Sequence, residues 1–356
     1  MELRVEKNSF IFNFNYAPKG FLVCALLAGI FETFLFVLPE HKLSEAPYER
    51  AALEMKESAA AQSNSYALIA LGDCTGWAAI RPITLERGLN STAFNFAVNG
   101  VQTYLVSYIL LKRYLSHCLR KPTLVVLQVS ANTLLGDFAV DKFVLHYYIL
   151  PYFRIDFDFL AELSPRLQLV CIKHALLTLL PSFKNQYLLR KDRWFFRLWK
   201  PTRDDYEHYM EFYHRERGFY NEDMDPRKRE LKIKEIKDID SSYKTFRLSE
   251  FNLFYIEKII SLLSQHQVKV VVCTESVRDD EMAIWNRYNL RERLNEALCT
   301  RLKEYDNVVA FLDLRDSASH PDYYVDRVHL NSKGAEIHTR ALAQKIKQLH
   351  ILSGML

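Results

Sequence analysis

Three side chains that lie far apart in the chain have the types an acyl-transfer site needs. Cys74 offers a nucleophilic sulfur, His329 an imidazole that can take its proton, and Asp326 a carboxylate that can hold that ring in one tautomer. Cys74 follows Tyr66-Ala67-Leu68-Ile69-Ala70-Leu71-Gly72-Asp73, an apolar run that enters a tight turn and then a helix. Free amide groups at a helix start favour negative charge, so a thiolate or an oxyanion suits that turn. Asp73 reads as a turn-stabilising acceptor rather than a catalytic acid. Asp326 and His329 stand three residues apart in a loop before the last helix. That spacing lets the carboxylate bond one ring nitrogen while the other faces a nucleophile.

Two more blocks could supply oxyanion donors. Asn95-Phe96-Ala97-Val98-Asn99-Gly100 ends an alternating stretch in a glycine, which can bring its backbone N–H close to a reacting carbonyl oxygen. Val129-Ser130-Ala131-Asn132 puts an amide side chain at the tip of another apolar run. His320 and Asp322 are reserve candidates with less suitable spacing, and His174 reads as a helix-face residue.

These groups meet only if the intervening elements bring them to one edge. Short apolar runs predict strands over Tyr66–Leu71, Thr92–Ala97, Leu124–Val129, Val268–Cys273 and Val308–Leu312. Helical periodicity predicts an amphipathic helix over Val101–Arg120, carrying Tyr104, Leu105, Tyr108, Ile109, Leu111 and Leu115, and a closing helix over Ser332–Leu349. Strands alternating with helices imply an α/β fold, with a parallel sheet covered on both faces and its site at the carboxyl ends of the strands.

The chain has 356 residues, 49% of them hydrophobic and 25% charged, which describes a globular chain. A net charge of +4 does not indicate a nucleic-acid binder, and no zinc-finger spacing supports one. The six cysteines (Cys24, Cys74, Cys118, Cys171, Cys273 and Cys299) show no CxxC pair, so neither a metal site nor a disulfide framework is indicated. Cys118, Cys273 and Cys299 read as small buried hydrophobes.

Gly20–Leu38 is a hydrophobic run long enough to cross a bilayer as a helix, and we expect an uncleaved anchor there. Glu32 inside the run leaves a buried core helix as the competing reading. Basic residues are balanced on its two sides, so charge alone orients it poorly. Residues 39–65, polar and alanine-rich, read as a helical stalk. Residues 136–255 break the strand–helix rhythm. Leu167–Leu180 is strongly apolar, and Arg193-Trp194-Phe195-Phe196-Arg197 with Trp199 and Lys200 follows it. A helical insertion packed on the main domain is the expectation, ahead of membrane contact.

The Gly-Asp-nucleophile turn, Gly100, Ser130-Ala131-Asn132 and Asp326-Arg327-Val328-His329, in that order, resemble the blocks of the SGNH/GDSL hydrolase superfamily. The resemblance extends from Tyr66 to the last helix. With the N-terminal run, the chain also looks like the membrane-anchored DltD and AlgJ/AlgX-like branch. The family's serine is Cys74 here, and the glycine of its third block is Ser130. A working thiol, an engineered replacement and a site that has lost activity are all compatible with the first change.

The resemblance implies a flavodoxin-like three-layer α/β/α domain formed by 66–135 and 256–356. Residues 1–19 would be an N-terminal tail, 20–38 a transmembrane anchor and 136–255 an insertion. It implies an esterase or acyltransferase with Cys74, His329 and Asp326 as catalytic residues and Cys74, Gly100 and Asn132 around the oxyanion. It implies no cofactor and no metal. The expected substrate is an acylated polysaccharide or other envelope ester, with a membrane protein as a possible partner. The expected place is the bacterial cytoplasmic membrane, single-pass, with the catalytic domain outside the cytoplasm. A catalytically inactive envelope protein that binds polysaccharide or a membrane partner is the alternative.

Overall fold

The computed structural model describes residues 47–98, 103–135, 203–220 and 247–351. It also describes 26–30, 33, 160, 161, 163, 165, 167–169, 171, 172 and 243. Five strands form the sheet: β1 (Leu68–Leu71), β2 (Ala93–Asn95), β3 (Leu124–Val129), β4 (Lys269–Thr274) and β5 (Val308–Leu312). All neighbours pair in parallel, in the order β2-β1-β3-β4-β5. This is the flavodoxin-like doubly wound order, whose chain reverses direction across the sheet between β1 and β3. In open α/β sheets of this kind ligands bind in the crevice at the carboxyl ends of the two strands where the order reverses.

Ten helices accompany the strands among the described residues: α1 (Pro47–Ala61), α2 (Cys74–Ala79), α3 (Pro82–Leu89), α4 (Thr103–His117), α5 (Ala131–Leu134), α6 (Arg203–Arg215), α7 (Glu250–Gln265), α8 (Asp279–Tyr288), α9 (Leu290–Leu302) and α10 (Ser332–Gln348). The two-residue period of the strands sorts their side chains into two cores. Ile69, Leu71, Val125, Leu127, Val270 and Val272 face α1, α4 and α7. Leu68, Ala70, Leu124, Val126, Val271 and Cys273 face α3 and α10. Helices on both faces explain why β3 is apolar at nearly every position.

Two boundaries differ from the sequence expectation. The stalk expected over 39–65 contains α1, and α1 is core. Its Ala51, Ala52, Leu53, Met55 and Ala60 are almost wholly buried, and it packs against α4 and α6. Small alanines let the helix approach closely, so a polar-looking sequence hides a buried face. The described parts of 136–255 are also built into the main core. Tyr213 of α6 and Tyr220 pack on Trp77 of α2, the Tyr220 ring at 4.4 Å and 28°. Trp77 Nε1 donates to Gly218 O at 3.0 Å. α7 begins at Glu250 behind its Ser249 cap, ahead of the expected boundary at 256.

Of the run 20–38, only 26–30 and 33 are described; they are helical and exposed. The anchor expectation therefore lies largely outside the described residues, among which no helix is long and apolar enough to cross a membrane. Cys273 and Cys118 are buried as expected, but Cys299 on α9 is exposed, which corrects its reading as a buried residue.

Candidate active site at the β1–β3 crevice

β1 delivers its chain into the crevice through Gly72, and sterics require glycine there. A Cβ at Gly72 would lie 2.9 Å from Gln128 O on the neighbouring β3. Asp73 follows as the N-cap of α2, with extended backbone, and Cys74 is the first helical residue, partly exposed. Asp73 is the structural acceptor that the sequence suggests. Its Oδ1 accepts from Thr75 N at 2.9 Å and Thr75 Oγ1 at 2.6 Å, while its Oδ2 accepts from Ser130 Oγ and Thr133 Oγ1. One buried carboxylate thus ties the turn after β1 to the turn after β3. α4 supports the turn from below, through Ser107 Oγ donating to Gly72 O at 3.1 Å and Tyr104 Oη donating to Gln128 O at 3.1 Å. Burial, with Asp73 and Glu275 close by, pushes the Tyr104 hydroxyl well above its ordinary range.

Ser130 caps α5, and Asn132 stands on that short helix. Asn132 Oδ1 accepts from Arg327 Nη2 at 2.7 Å. A guanidinium can only donate, so this bond fixes the amide with Nδ2 as its donor end. Arg327 Nη1 meanwhile donates to Glu281 Oε1 at 2.7 Å and to Tyr243 Oη at 3.1 Å. Arg327 lies inside the Asp326–His329 loop, so the guanidinium pins that loop to the tip of β3.

The loop itself is a tight return. Tyr324 and Leu330 form an antiparallel bridge, and Val325 N donates to His329 O at 3.0 Å. Asp326 Oδ1 accepts from the N–H groups of Val328 and His329, both at 2.9 Å, and Oδ2 lies 2.7 Å from His329 Nδ1. That contact directs Nε2 away from the carboxylate, and Nε2 is shielded from solvent. Arg278, itself buried, reaches the Asp326 carbonyl at 3.5 Å. The loop leads into α10 at Asn331, whose side chain caps Gly334 N at 3.0 Å. Any Cβ at Gly334 would collide with Tyr323 O, so the helix start presses directly on the preceding turn.

Side-chain bonds thus join Asp73 of Cys74's turn to Ser130, and Asn132 to Arg327, while the backbone carries the link from Ser130 to Asn132 and from Arg327 to Asp326 and His329. Gly100, the other expected oxyanion donor, lies outside the described residues, as does His174. Ala97 and Val98 just before it are buried, with Val98 N donating to Gly72 O at 3.0 Å. The reserve pair His320 and Asp322 stands at the surface, 3.6 Å from each other and largely exposed.

Sequence reasoning missed several buried charges here, Glu275 and Lys56 among them. Glu275 follows β4 directly, is nearly inaccessible, and accepts from Ala131 N at 2.8 Å. Burial pushes its carboxyl up to about 7, against the opposing pull of Arg315 and of the Ala131 N–H. The polar tip Thr274-Glu275-Ser276 after an apolar strand was a readable signal, since it matches the positions of Asp73 after β1 and Ser130 after β3. Lys56 of α1 was not readable. Its ammonium group lies 4.7 Å from the centre of the Trp77 ring and donates to Ala97 O, and burial pulls it well below the usual lysine range. Among the described residues no group of three or more His, Cys, Asp or Glu converges as a metal site.

No family model matches the chain, and no curated protein matches it. Among solved structures, it is similar to one described as a "putative acylhydrolase" from Bacteroides fragilis. The identity is 14% over 79% of this chain and 87% of that chain, with a TM-score of 0.35.

Proposed function

We propose that this chain is an SGNH-like esterase or acyltransferase whose nucleophile is the thiol of Cys74. The observation that carries the reading is the Asp326–His329 pair and the bonds that tie its loop to the turn after β3. A histidine held at 2.7 Å by Asp326 sits in a loop bonded to Asn132, on the turn after β3 that is bonded to the carboxylate of Asp73, the residue before Cys74. His329 Nε2 takes the Cys74 proton, and the thiolate attacks an ester carbonyl carbon. The N–H groups of Cys74 and Gly100 and the Nδ2 of Asn132 hold the resulting oxyanion. Collapse expels the alkoxide, which takes the proton from His329 and leaves a thioester on Cys74. Water or an acceptor hydroxyl, deprotonated by His329, then attacks the thioester and regenerates the thiol. Asp326 keeps the ring oriented throughout.

The substrate in this reading is an acylated polysaccharide or other ester of the bacterial envelope. The apolar run 20–38 holds the chain at the cytoplasmic membrane with the crevice on the outer side. Partition of the full chain into the membrane fraction, lost on deletion of residues 1–40, is the expected result; an unchanged distribution would sink the anchor.

Turnover of p-nitrophenyl acetate by the full chain tests the chemistry. The wild type and Cys74→Ser should release nitrophenol, whereas Cys74→Ala and His329→Ala should not. Equal turnover in all four rules out the thiol mechanism. The thiol at the family's serine position favours a second reading, an inactive envelope protein that binds polysaccharide or a membrane partner. It predicts no turnover in any form, together with retained polysaccharide binding in Cys74→Ala.

A further inference from the structure

Gln128, Thr75 and His338 are polar and almost completely buried, and the acyl-transfer steps use none of them. Interior polar groups cost stability unless each finds a partner, so their bonds define what they do. Those bonds have one consistent direction. Gln128 Nε2 donates to Thr75 Oγ1 at 3.1 Å, which leaves Gln128 Oε1 as the acceptor facing His338 Nε2 at 3.3 Å. That ring nitrogen must therefore carry the proton. His338 Nδ1 then accepts from Ser317 Oγ at 2.7 Å. At the other end Thr75 Oγ1 donates to Asp73 Oδ1 at 2.6 Å.

Every donor in this chain points the same way, from Ser317 through His338, Gln128 and Thr75 to the carboxylate that caps α2. Bonds aligned in one sense polarise one another inside a low-dielectric interior. The next residue of α10 grips the far end of the same short helix. Thr339 Oγ1 donates to Ala79 O at 2.8 Å and accepts from Arg81 N at 3.0 Å. α10 thus clamps both ends of α2.

We infer that His338 is a positioning residue for Cys74, acting through Gln128 and Thr75 to fix the Asp73 carboxylate and the start of α2. The inference rests on the acyl-transfer reading for the use made of the thiol; the positioning itself is read on the thiol directly. Burial holds the imidazole neutral, pulling it down to about 4, so the sense of the chain stays constant near neutral pH.

The test is the rate at which iodoacetamide alkylates Cys74 in the full chain at fixed pH, followed by peptide mass mapping. The exposed Cys299 is read in the same samples as an internal control. His338→Met should slow Cys74 about tenfold, the scale of one buried hydrogen bond. Thr75→Val should do the same, and the double variant should be no slower than the slower single one, because either break interrupts the same chain. His338→Gln, whose amide can still donate to Gln128, should stay within about threefold of the wild type. Cys299 should react alike in all of them.

Cys74 reacting at the wild-type rate in His338→Met, or effects that multiply in the double variant, would overturn the inference. Should His338→Met fail to fold, Ser317→Ala decides: a Cys74 slowed about twofold supports it, and an unchanged rate refutes it. Ester turnover measured alongside separates the two readings. A wild type without turnover but with the expected alkylation pattern removes the enzymatic reading and keeps the positioning one.

Discussion

Asp73 and Asp326 each accept backbone N–H groups beside a candidate catalytic side chain, yet they are held in different ways. Asp73 is almost wholly buried and receives hydroxyl donors from the turn after β3 as well as from its own. Asp326 has a side chain 22% exposed and receives the Val328, His329 and Nδ1 donors of its own loop. The position of Cys74 is therefore set at the carboxyl edge of the sheet, because its turn is bonded through Asp73 to the turn after β3. The histidine's position depends on two long cations, Arg278 and Arg327, that reach across from or to other elements. Damage to the first half should show up as lost folding, and damage to the second as lost rate.

The largest effect separating the halves is expected at His329. His329→Ala should cut ester turnover roughly a thousandfold, the scale of a lost general base. Its urea midpoint should stay near that of the wild type. A comparable fall in stability would erase the distinction between the halves. The mirror case is Asp73→Ala, which leaves four buried donors without their acceptor. It should cost about 3 to 4 kcal/mol in urea unfolding; a loss below 1 kcal/mol would mean the turn does not depend on its carboxylate.

Two buried titrating groups sharpen the comparison, because they act with opposite sign. His338 is held down to about 4, below the ordinary 6.5 of an unfolded histidine. The unfolded chain binds its proton first as pH falls, so this contribution is complete above 6.5 and is lost progressively toward 4. Glu275 is pushed up to about 7 from 4.5. The folded chain keeps that proton longer, so its contribution is present below 4.5 and is lost as pH rises to about 7. Each slope amounts to on the order of 3 kcal/mol, and the two largely cancel in the wild type between 4.5 and 6.5. Glu275→Gln should leave stability that rises with pH across that window, and His338→Gln stability that falls. Parallel profiles in the two variants would refute the assignment.

The smallest effect is expected at Arg327. Arg327→Met frees Asn132 and should lower kcat about tenfold with little change in KM, as the proposed role of the amide at the developing oxyanion requires. A change confined to KM would instead make Arg327 a substrate-binding group.

Much of this arrangement is legible from local pattern, and what is not shares one cause. β3 and β5 have the bounds that their apolar runs predict: β3 is buried at every position, as a strand covered on both faces is, and β5 keeps an apolar composition at the partly covered edge of the sheet. The Asp73 cap and the Asp326–His329 contact are local pairs, two and three residues apart, and local spacing reveals them. Glu281, Arg327 and Lys56 are charged residues whose partners lie 46, 195 and 41 positions away. Nothing near them in sequence shows that Glu281 and Lys56 are buried and Arg327 half-buried. α1 was misread for the same reason: its alanines look soluble until the helices they touch are known.

The burial of α1 decides where this protein can be cut. A fragment beginning at Tyr66, the natural choice for anyone discarding the N-terminal run, would strip Leu53 and Met55 from the interior and expose the Trp77 face beneath Lys56. A recombinant version meant to stay in solution has to begin upstream of Pro47, keeping the whole of that helix.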